Sequence, residues 1–200
     1  MEKIAILADS GCQIPVDSRE NEGIFIAPLT ITMEGKSYLD DIEIHSIDVF
    51  KRMEKDDIMV MTSQPSTGSL QEAVQKIKDQ GYSHVIGLPI ATGLSSTMNG
   101  MKLACDMLEM PVTLVDTKGT ASNQKYLVEV AAKLAREGKS PEEIKDILEK
   151  LVEDSATIIM VPNLDHLKKG GRITPAVAAL AGLLKIVPIM KLNYSLGGKI

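Results

Sequence analysis

Short runs of apolar residues alternate along the chain with longer segments that carry apolar positions every three or four residues. Four of these runs, at residues 4–8, 85–90, 112–115 and 158–161, contain few polar side chains. Strands this uniformly apolar are typical of a parallel sheet with both faces covered. The pattern therefore predicts an α/β fold in which a parallel or mixed sheet is sandwiched by helices.

Two of the covering helices are marked by spacing and by their ends. Apolar residues keep helical spacing over residues 127–134 and again over residues 144–152. Gly138 is placed to end the first helix, and Ser140 to cap the second, with proline next and the capping-box Glu143 three positions on. We expect two consecutive helices that are joined by a tight turn.

Residues 25–39 have a different pattern, with extended segments on either side of a turn at Glu34 and Gly35. A glycine turn between two such segments is typical of a hairpin. We expect this hairpin to be appended to the parallel sheet, which makes the sheet mixed.

One candidate linker divides the chain, the KKGG sequence at residues 168–171. Beyond it, residues 175–184 are rich in Ala and Leu and predict a helix, and residues 186–192 predict a strand. We therefore expect an N-terminal α/β domain over residues 1–161, followed by a linker and the beginning of a second α/β domain over residues 162–200.

Composition narrows the possible partners and the compartment. The net charge is −5, and Lys and Arg are spread along the chain, so there is no basic patch for nucleic acid or an anionic membrane surface. Cys12 and Cys105 lie far apart, and the N-terminus lacks a targeting pattern. No apolar run approaches the roughly 20 residues that span a bilayer. We expect a reduced, cytoplasmic protein with no integral membrane association.

The eleven methionines have two interpretations, of which we favour the first. Flexible, polarisable side chains fill irregular cores, and they can also line the tunnel of a long flexible ligand.

Hydroxyl side chains are concentrated in two segments that follow apolar runs. The first is TSQPSTGSL at residues 62–70, with five hydroxyls in nine residues, and the second is TGLSST at residues 92–97. Helix capping explains one hydroxyl in each segment, supplied by Ser66 or Thr67 in the first and by Ser95 or Ser96 in the second. Capping does not explain the other hydroxyls of the two segments, which are a surplus.

The surplus hydroxyls suggest an anion site. Thr62, Ser63, Ser95 and Ser96 are expected at the carboxyl ends of strands, where open α/β sheets bind ligands. Together with helix N-terminal amides they could converge on one carboxylate or oxyanion.

Two other classes stay open from the residues alone. A serine esterase or thioesterase could use Ser95 as nucleophile and His166 as base, although Gly93 supplies only half of the nucleophile-elbow motif. A module that binds a nucleotide or sugar phosphate is possible on a doubly wound sheet, but no phosphate-loop sequence is present. His, Cys, Asp and Glu do not occur at metal-ligand spacings.

Two single residues have competing interpretations. Cys12 follows the first strand and is more often a small buried residue than a nucleophile in such a position. Arg172 follows two glycines, whose turn would aim its guanidinium, or it is a surface arginine after a helix end.

The motifs taken together resemble the DegV family of bacterial fatty-acid-binding proteins, the acyl-carrying subunits of fatty acid kinase. The similarity runs in order through the whole chain, and the pairing of TSQPS with KKGGRI is highly specific. The matching segments are DSG at 9–11, TSQPS at 62–66, GLSSTMN at 93–99, VDT at 115–117 and LKKGGRI at 167–173.

The resemblance implies a carrier, not an enzyme. It implies a long-chain fatty acid such as palmitate or oleate in an apolar tunnel, its carboxylate held by Thr62 and Ser95, with Ser63 and Ser96 as neighbours. Arg172 matches the family arginine near the head group, where an ATP-dependent kinase subunit docks and forms the acyl phosphate for phospholipid synthesis. No other cofactor is implied. Family members are longer, so this chain is expected to lack most of the second domain, and its tunnel to be incomplete.

Overall fold

The computed structural model describes residues 3–56, 58–161, 164–173 and 187–199. Within these ranges the chain forms nine strands and six α-helices. The strands are β1 (Ile4–Asp9), β2 (Ile24–Ala27), β3 (Thr30–Met33), β4 (Lys36–Leu39), β5 (Val60–Ser63), β6 (His84–Leu88), β7 (Val112–Leu114), β8 (Ala156–Met160) and β9 (Ile189–Asn193). The helices are α1 (Ser46–Asp56), α2 (Thr67–Asp79), α3 (Thr97–Met107), α4 (Ala121–Arg136), α5 (Pro141–Glu153) and α6 (Asp165–Lys169).

A four-stranded parallel sheet in the order β2-β1-β6-β7 forms the centre of the fold. Every residue of β1 is buried. Alternate side chains of β1 enter two separate cores: Ile4, Ile6 and Ala8 pack with α4 and α5, while Ala5 and Leu7 pack with α2 and α3. The predicted sheet sandwiched by helices is confirmed.

The junction between α4 and α5 also follows the prediction. Gly138 has φ +80°, a left-handed conformation that glycine adopts at low cost, and ends α4. The Ser140 side chain accepts from the Glu143 backbone amide, and the Glu143 carboxylate accepts from the Ser140 amide, which completes the capping box. Pro141 is the first residue of α5.

The predicted hairpin forms, but it does not extend the parallel sheet. β3 and β4 pair in antiparallel fashion around the turn at Glu34 and Gly35, and β3 also pairs with β5, in a separate sheet of order β4-β3-β5. The expected mixed sheet is therefore wrong for the described residues. Alternate burial along β3 allows one face to pack on α1 while the other faces outward.

The fourth apolar run also lies outside the parallel sheet. Its strand, β8, pairs antiparallel with β9, and α6 packs on this pair through a small core around Leu164 and Met190. The expected strand over residues 186–192 is present as β9, but the helix expected over residues 175–184 lies outside the described residues. β8 precedes the domain boundary that was expected after residue 161, and β9 follows it, so this strand pair spans the expected boundary. The boundary itself stays a prediction.

Among the described residues, no helix is both long enough and apolar enough to cross a bilayer.

Candidate functional site

A cavity of about 440 Å³ has one wall formed by the β4-β3-β5 sheet and α1, and another formed by the segments that follow β6 and β8. Its volume is within the range of about 300–1,000 Å³ that is usual for small-molecule sites. Most of the wall is apolar. The apolar side chains include Ile31, Val49, Phe50, Met53, Val60 and Ile159, and the polar or charged ones are Asp40, Ser46, Thr62, Ser63, Ser95, Thr120, His166 and Arg172.

Thr62 and Ser63 line this cavity from the end of β5. They were expected in a loop after a strand of the parallel sheet, but they are the last two residues of an antiparallel strand. Thr62 pairs with Ile31 and Ser63 with Thr30. Both residues are exposed, so their hydroxyls are available to a ligand.

Ser95 lines the cavity from the loop before α3, and Ser96 does not. Ser95 Oγ lies 2.8 Å from Thr97 Oγ1 and accepts from the Thr97 backbone amide at 3.3 Å. Ser96 is the exposed N-cap residue of α3, and its side chain makes no capping hydrogen bond. The structure thus brings three of the four predicted residues, Thr62, Ser63 and Ser95, to the wall of one cavity.

Ser66 accounts for capping in the first hydroxyl segment, as predicted. Its Oγ accepts from the Ser69 backbone amide at 3.0 Å at the start of α2. Ser66 lies outside the cavity lining. Capping therefore leaves the hydroxyls of Thr62 and Ser63 unused by the helix.

Arg172 spans the two hydroxyl segments with its guanidinium. Nε donates to the carbonyl of Leu94 at 3.2 Å, Nη2 to the carbonyl of Thr62 at 3.2 Å, and Nη1 to the carbonyl of Gly170 at 2.6 Å. The neighbouring Gly171 has φ +74°, which is the glycine turn that was predicted to aim this side chain. Arg172 is partly buried and supplies positive charge to the cavity wall.

Asp40 is the carboxylate in the cavity lining. Burial raises its pKa, the hydrogen bond from Ser10 Oγ at 2.7 Å opposes that rise, and repulsion from Asp41 adds to it. Ser10 belongs to the DSG segment after β1, and its Oγ also accepts from the Leu29 amide. The described cavity wall therefore includes the acid Asp40 as well as the guanidinium of Arg172.

Asp9, the first residue of the DSG segment, is fully buried. Its carboxylate accepts from the amides of Ile90 at 2.8 Å and Gly11 at 3.0 Å, and from Gln124 Nε2 at 3.2 Å. Burial outweighs these donors and raises the pKa of Asp9 to about 6. Asp9 thus ties the end of β1 to Ile90, which lines the cavity.

His166 also lines the cavity, but it is not paired with Ser95. Its Nδ1 lies 3.4 Å from the carbonyl of Val60, and Ser95 Oγ is engaged with Thr97. A nucleophile needs a base within hydrogen-bonding distance, and in the described residues this geometry is not formed.

Cys12 is completely buried, as expected for a small core residue. Burial raises the pKa of its thiol to about 12, so little thiolate forms near neutral pH. Within the described ranges, no three His, Cys, Asp or Glu side chains lie together in a way that could hold a metal ion.

The sequence did not reveal most of the cavity wall, which includes Asp40, Phe50 and Met53. The amphipathic spacing of residues 46–56 was a signal for α1, but it does not say which ligand or core the helix covers. Met33 and Met101 are buried in cores, as the favoured interpretation of the methionines expects. Met53 packs against the same core as Met33 and also lines the cavity, and a role of methionines in a ligand tunnel stays a prediction.

The comparison with protein families matches residues 3–199 to the family described as "Uncharacterised protein, DegV family". Curated relatives include a DegV domain-containing protein of Staphylococcus aureus strain N315, which is 33% identical over 193 residues. Another, from Streptococcus pneumoniae, is 29% identical over 192 residues. Each alignment covers 96% of this chain and 68% of the relative.

Solved structures of similar proteins have the same fold. A DegV family protein from Thermus thermophilus, described for its fatty acid binding, superposes with a TM-score of 0.83 at 31% identity, over 98% of this chain and 69% of the other. DegV from Bacillus subtilis, described as a fatty acid binding protein, superposes with a TM-score of 0.83 at 30% identity, over 96% and 69%. A stearic acid-binding protein from Eubacterium ventriosum gives a TM-score of 0.82 at 26% identity, over 96% and 67%.

Proposed function

The chain belongs to the DegV family, and we propose that it binds one long-chain fatty acid, with the acyl chain in the apolar cavity and the carboxylate at Thr62 and Ser95. The observation that carries the proposal is that hydroxyls from two distant segments line one mostly apolar cavity. Relatives from Thermus thermophilus and Bacillus subtilis, described as binding fatty acids, support it.

The chemistry of the polar end suits a carboxylate. A carboxylate accepts hydrogen bonds only, and hydroxyls donate without themselves becoming charged. An unpaired carboxylate inside a protein costs several kcal/mol, so each donor that meets it offsets part of that cost. In this proposal Ser63 on β5 is a further donor, and Ser96 is the neighbour of Ser95 that lies exposed outside the cavity lining.

The apolar wall suits an acyl chain. Burial of a sixteen-carbon chain such as that of palmitate contributes on the order of 12 kcal/mol, of which association and ordering consume a large part. The cavity is open to solvent at Phe50 and Met61, which line it and remain 61% and 47% exposed. A ligand would cover both side chains.

In this proposal the protein presents the acid and does not catalyse. A partner kinase subunit in the cytoplasm would transfer phosphate from ATP to the carboxylate and form the acyl phosphate that phospholipid synthesis uses. The carboxylate site lies beside α6, whose Lys168 and Lys169 are exposed near Arg172. These cations are suited to meet an acidic or phosphate-bearing partner surface.

Extraction and titration test the proposal together. Denaturing mass spectrometry of the purified protein should release a fatty acid, and calorimetric titration should show palmitate binding that weakens in Ser95→Ala. Methyl palmitate, which lacks the charge, is the matched ligand, and its affinity should respond little to Ser95→Ala. Absence of palmitate binding contradicts the proposal.

A serine esterase is the second candidate, because Ser95 and His166 line the same cavity. The discriminating measurement is hydrolysis of a long-chain p-nitrophenyl ester. Turnover that is lost in both Ser95→Ala and His166→Ala would favour the esterase. Absence of ester hydrolysis would exclude the esterase as a candidate function.

A further inference from the structure

The loop between β6 and α3 is held to the rest of the protein at nearly every residue before Ser95. The Pro89 carbonyl accepts from Thr117 Oγ1 at 2.7 Å, and the Ile90 amide donates to Asp9 at 2.8 Å. The Ala91 amide donates to the carbonyl of Gly119 at 2.9 Å. Most of these anchors come from the segment after β7, which contains the VDT motif.

Asp116 makes the attachment nearest to Ser95 among those from the VDT segment. Its Oδ1 accepts from the Thr92 amide at 3.2 Å, and its Oδ2 accepts from the Thr92 hydroxyl. Lys118 holds the same carboxylate in place, because its amide donates to Oδ1 at 3.0 Å and its Nζ to Oδ2 at 2.6 Å. Burial alone would raise the pKa of Asp116, but the bonds from Lys118 and Thr92 outweigh it and lower the pKa, so the side chain stays a carboxylate near neutral pH.

The loop transmits this anchoring to Ser95 through one short turn. The Ala91 carbonyl accepts hydrogen bonds from the Leu94 amide at 2.9 Å and from the Ser95 amide at 3.2 Å. Thr92 is the first residue inside that turn, so its position fixes the direction in which residues 92–95 leave Ala91. Among the described residues, the hydrogen bonds of Ser95 Oγ go to Thr97 and not to Asp116, so Asp116 can act on Ser95 only indirectly, through this turn.

We propose that Asp116 is a positioning residue of the carboxylate site, which holds Thr92 so that Ser95 Oγ is directed at the ligand. The inference rests on the proposed function, because it assigns Ser95 to the fatty-acid carboxylate. A loop that is anchored before the ligand arrives loses less conformational freedom on binding, and this increases affinity. Asp116 touches no ligand in this scheme and acts only through the loop.

A double-mutant cycle on palmitate affinity tests the inference, with wild type, Asp116→Ala, Ser95→Ala and the double variant. Asp116→Ala should weaken binding on the order of tenfold in the wild-type background and less than twofold when Ser95 is already alanine. A purely structural role of Asp116 predicts the same loss in both backgrounds. That additive result, or no loss in wild type, overturns the inference.

Thr92 provides a second test if Asp116→Ala does not fold. Thr92 is exposed, so Thr92→Val removes the hydroxyl bond with little change in packing, and Thr92→Ser keeps it. In the same cycle with Ser95→Ala, the valine variant should lose about threefold in affinity and the serine variant should bind like wild type. Equal affinity of the valine and serine variants contradicts the inference.

Thr113→Val is the matched control, because it removes a hydroxyl that is hydrogen-bonded to His84 and not to the loop between β6 and α3. It should bind palmitate like wild type, and a loss equal to that of Thr92→Val would also contradict the inference. Failure of the proposed function looks different. In that case Ser95→Ala binds palmitate like wild type, or wild type does not bind palmitate, and both the proposed function and the inference are contradicted. If Ser95→Ala weakens palmitate binding but the loss from Asp116→Ala is the same in both backgrounds, only the inference is contradicted.

Discussion

Arg172 Nη2 donates to the backbone carbonyl of Thr62 at 3.2 Å and so joins residues that lie 110 positions apart in sequence. The same guanidinium reaches Leu94, the residue before Ser95. One side chain therefore sets the separation between the two segments that carry the proposed carboxylate donors. Lysine could not replace it, since an ammonium lacks the planar fork of donors.

We expect Arg172→Lys to weaken palmitate binding by about 1 to 2 kcal/mol, because at least one carbonyl loses its charged donor and the two segments separate more easily. Titration calorimetry measures the loss. Lys169→Ala is the control, because it removes a positive charge nearby from an exposed residue that holds neither segment. Wild-type affinity in Arg172→Lys would show that charge alone suffices.

The hydroxyls should separate into two functional groups. Thr62→Ala and Ser95→Ala are each expected to weaken palmitate binding by about 1 to 3 kcal/mol, because a charged acceptor is left short of a donor. Their stability to urea should change little. Thr67→Ala, the matched change at an exposed residue outside the cavity, should leave affinity unchanged.

Ser66→Ala should have the opposite signature. Loss of the α2 cap is expected to lower the free energy of unfolding by about 1 kcal/mol with no effect on palmitate affinity. Urea denaturation and calorimetry on the same preparation measure both quantities. A change in affinity without a change in stability would place Ser66 in the site and not at the helix end.

Asp9 should make stability depend on pH in a defined window. Its pKa rises from 3.8 to about 6 on folding, so between these values the folded protein binds more protons than the unfolded chain. The free energy of unfolding should therefore fall as pH rises from about 4 to about 6, by on the order of 3 kcal/mol, and stay level above.

Asp9→Asn removes the titration and keeps the shape. Urea denaturation at pH 4.5, 5.5 and 7 should show a smaller fall with pH in this variant than in wild type. Gln124 Oε1, a buried atom without a hydrogen-bond partner among the described residues, is available to accept from the new amide. Identical pH dependence in the two proteins would contradict the role given to burial.

Gly93 should tolerate no side chain. A Cβ added there would clash with the backbone carbonyl group of Gly198, in the turn after β9. We expect Gly93→Ala to destabilise the protein by about 1 to 3 kcal/mol, since backbone must shift. Gly68→Ala in α2 is the control, because the nearest atom is 3.8 Å away and alanine favours a helix.

Local signals in the sequence predicted the features that neighbouring residues decide. The α4–α5 junction was predictable because Gly138, Ser140 and Glu143 act within a few residues of each other. The place of β5 was not, because a strand's partner depends on residues far away, and the run at 58–61 resembles a strand of a parallel sheet. The alternation of polar and apolar residues over Thr30, Ile31, Thr32 and Met33 was the sign in the sequence of a separate, one-sided sheet.

Part of the candidate site was also predictable from the sequence. Thr62, Ser63, Ser95 and Ser96 were selected because the two segments hold more hydroxyls than capping needs, and the first three of these residues line one cavity. The tie between Asp116 and Thr92 was not predictable, because strand-end aspartates usually serve their own turn, and Asp116 does this as well through the Lys118 amide.

The walls of the cavity come from segments that run from Leu29 to Arg172. During synthesis the N-terminal end leaves the ribosome first, and contacts between distant segments form only after both are available. The parallel sheet can be complete once β7 has emerged, yet Thr62 and Ser95 have no guanidinium between them until Arg172 follows. A nascent chain would thus complete its parallel sheet before it acquires the ability to retain a ligand.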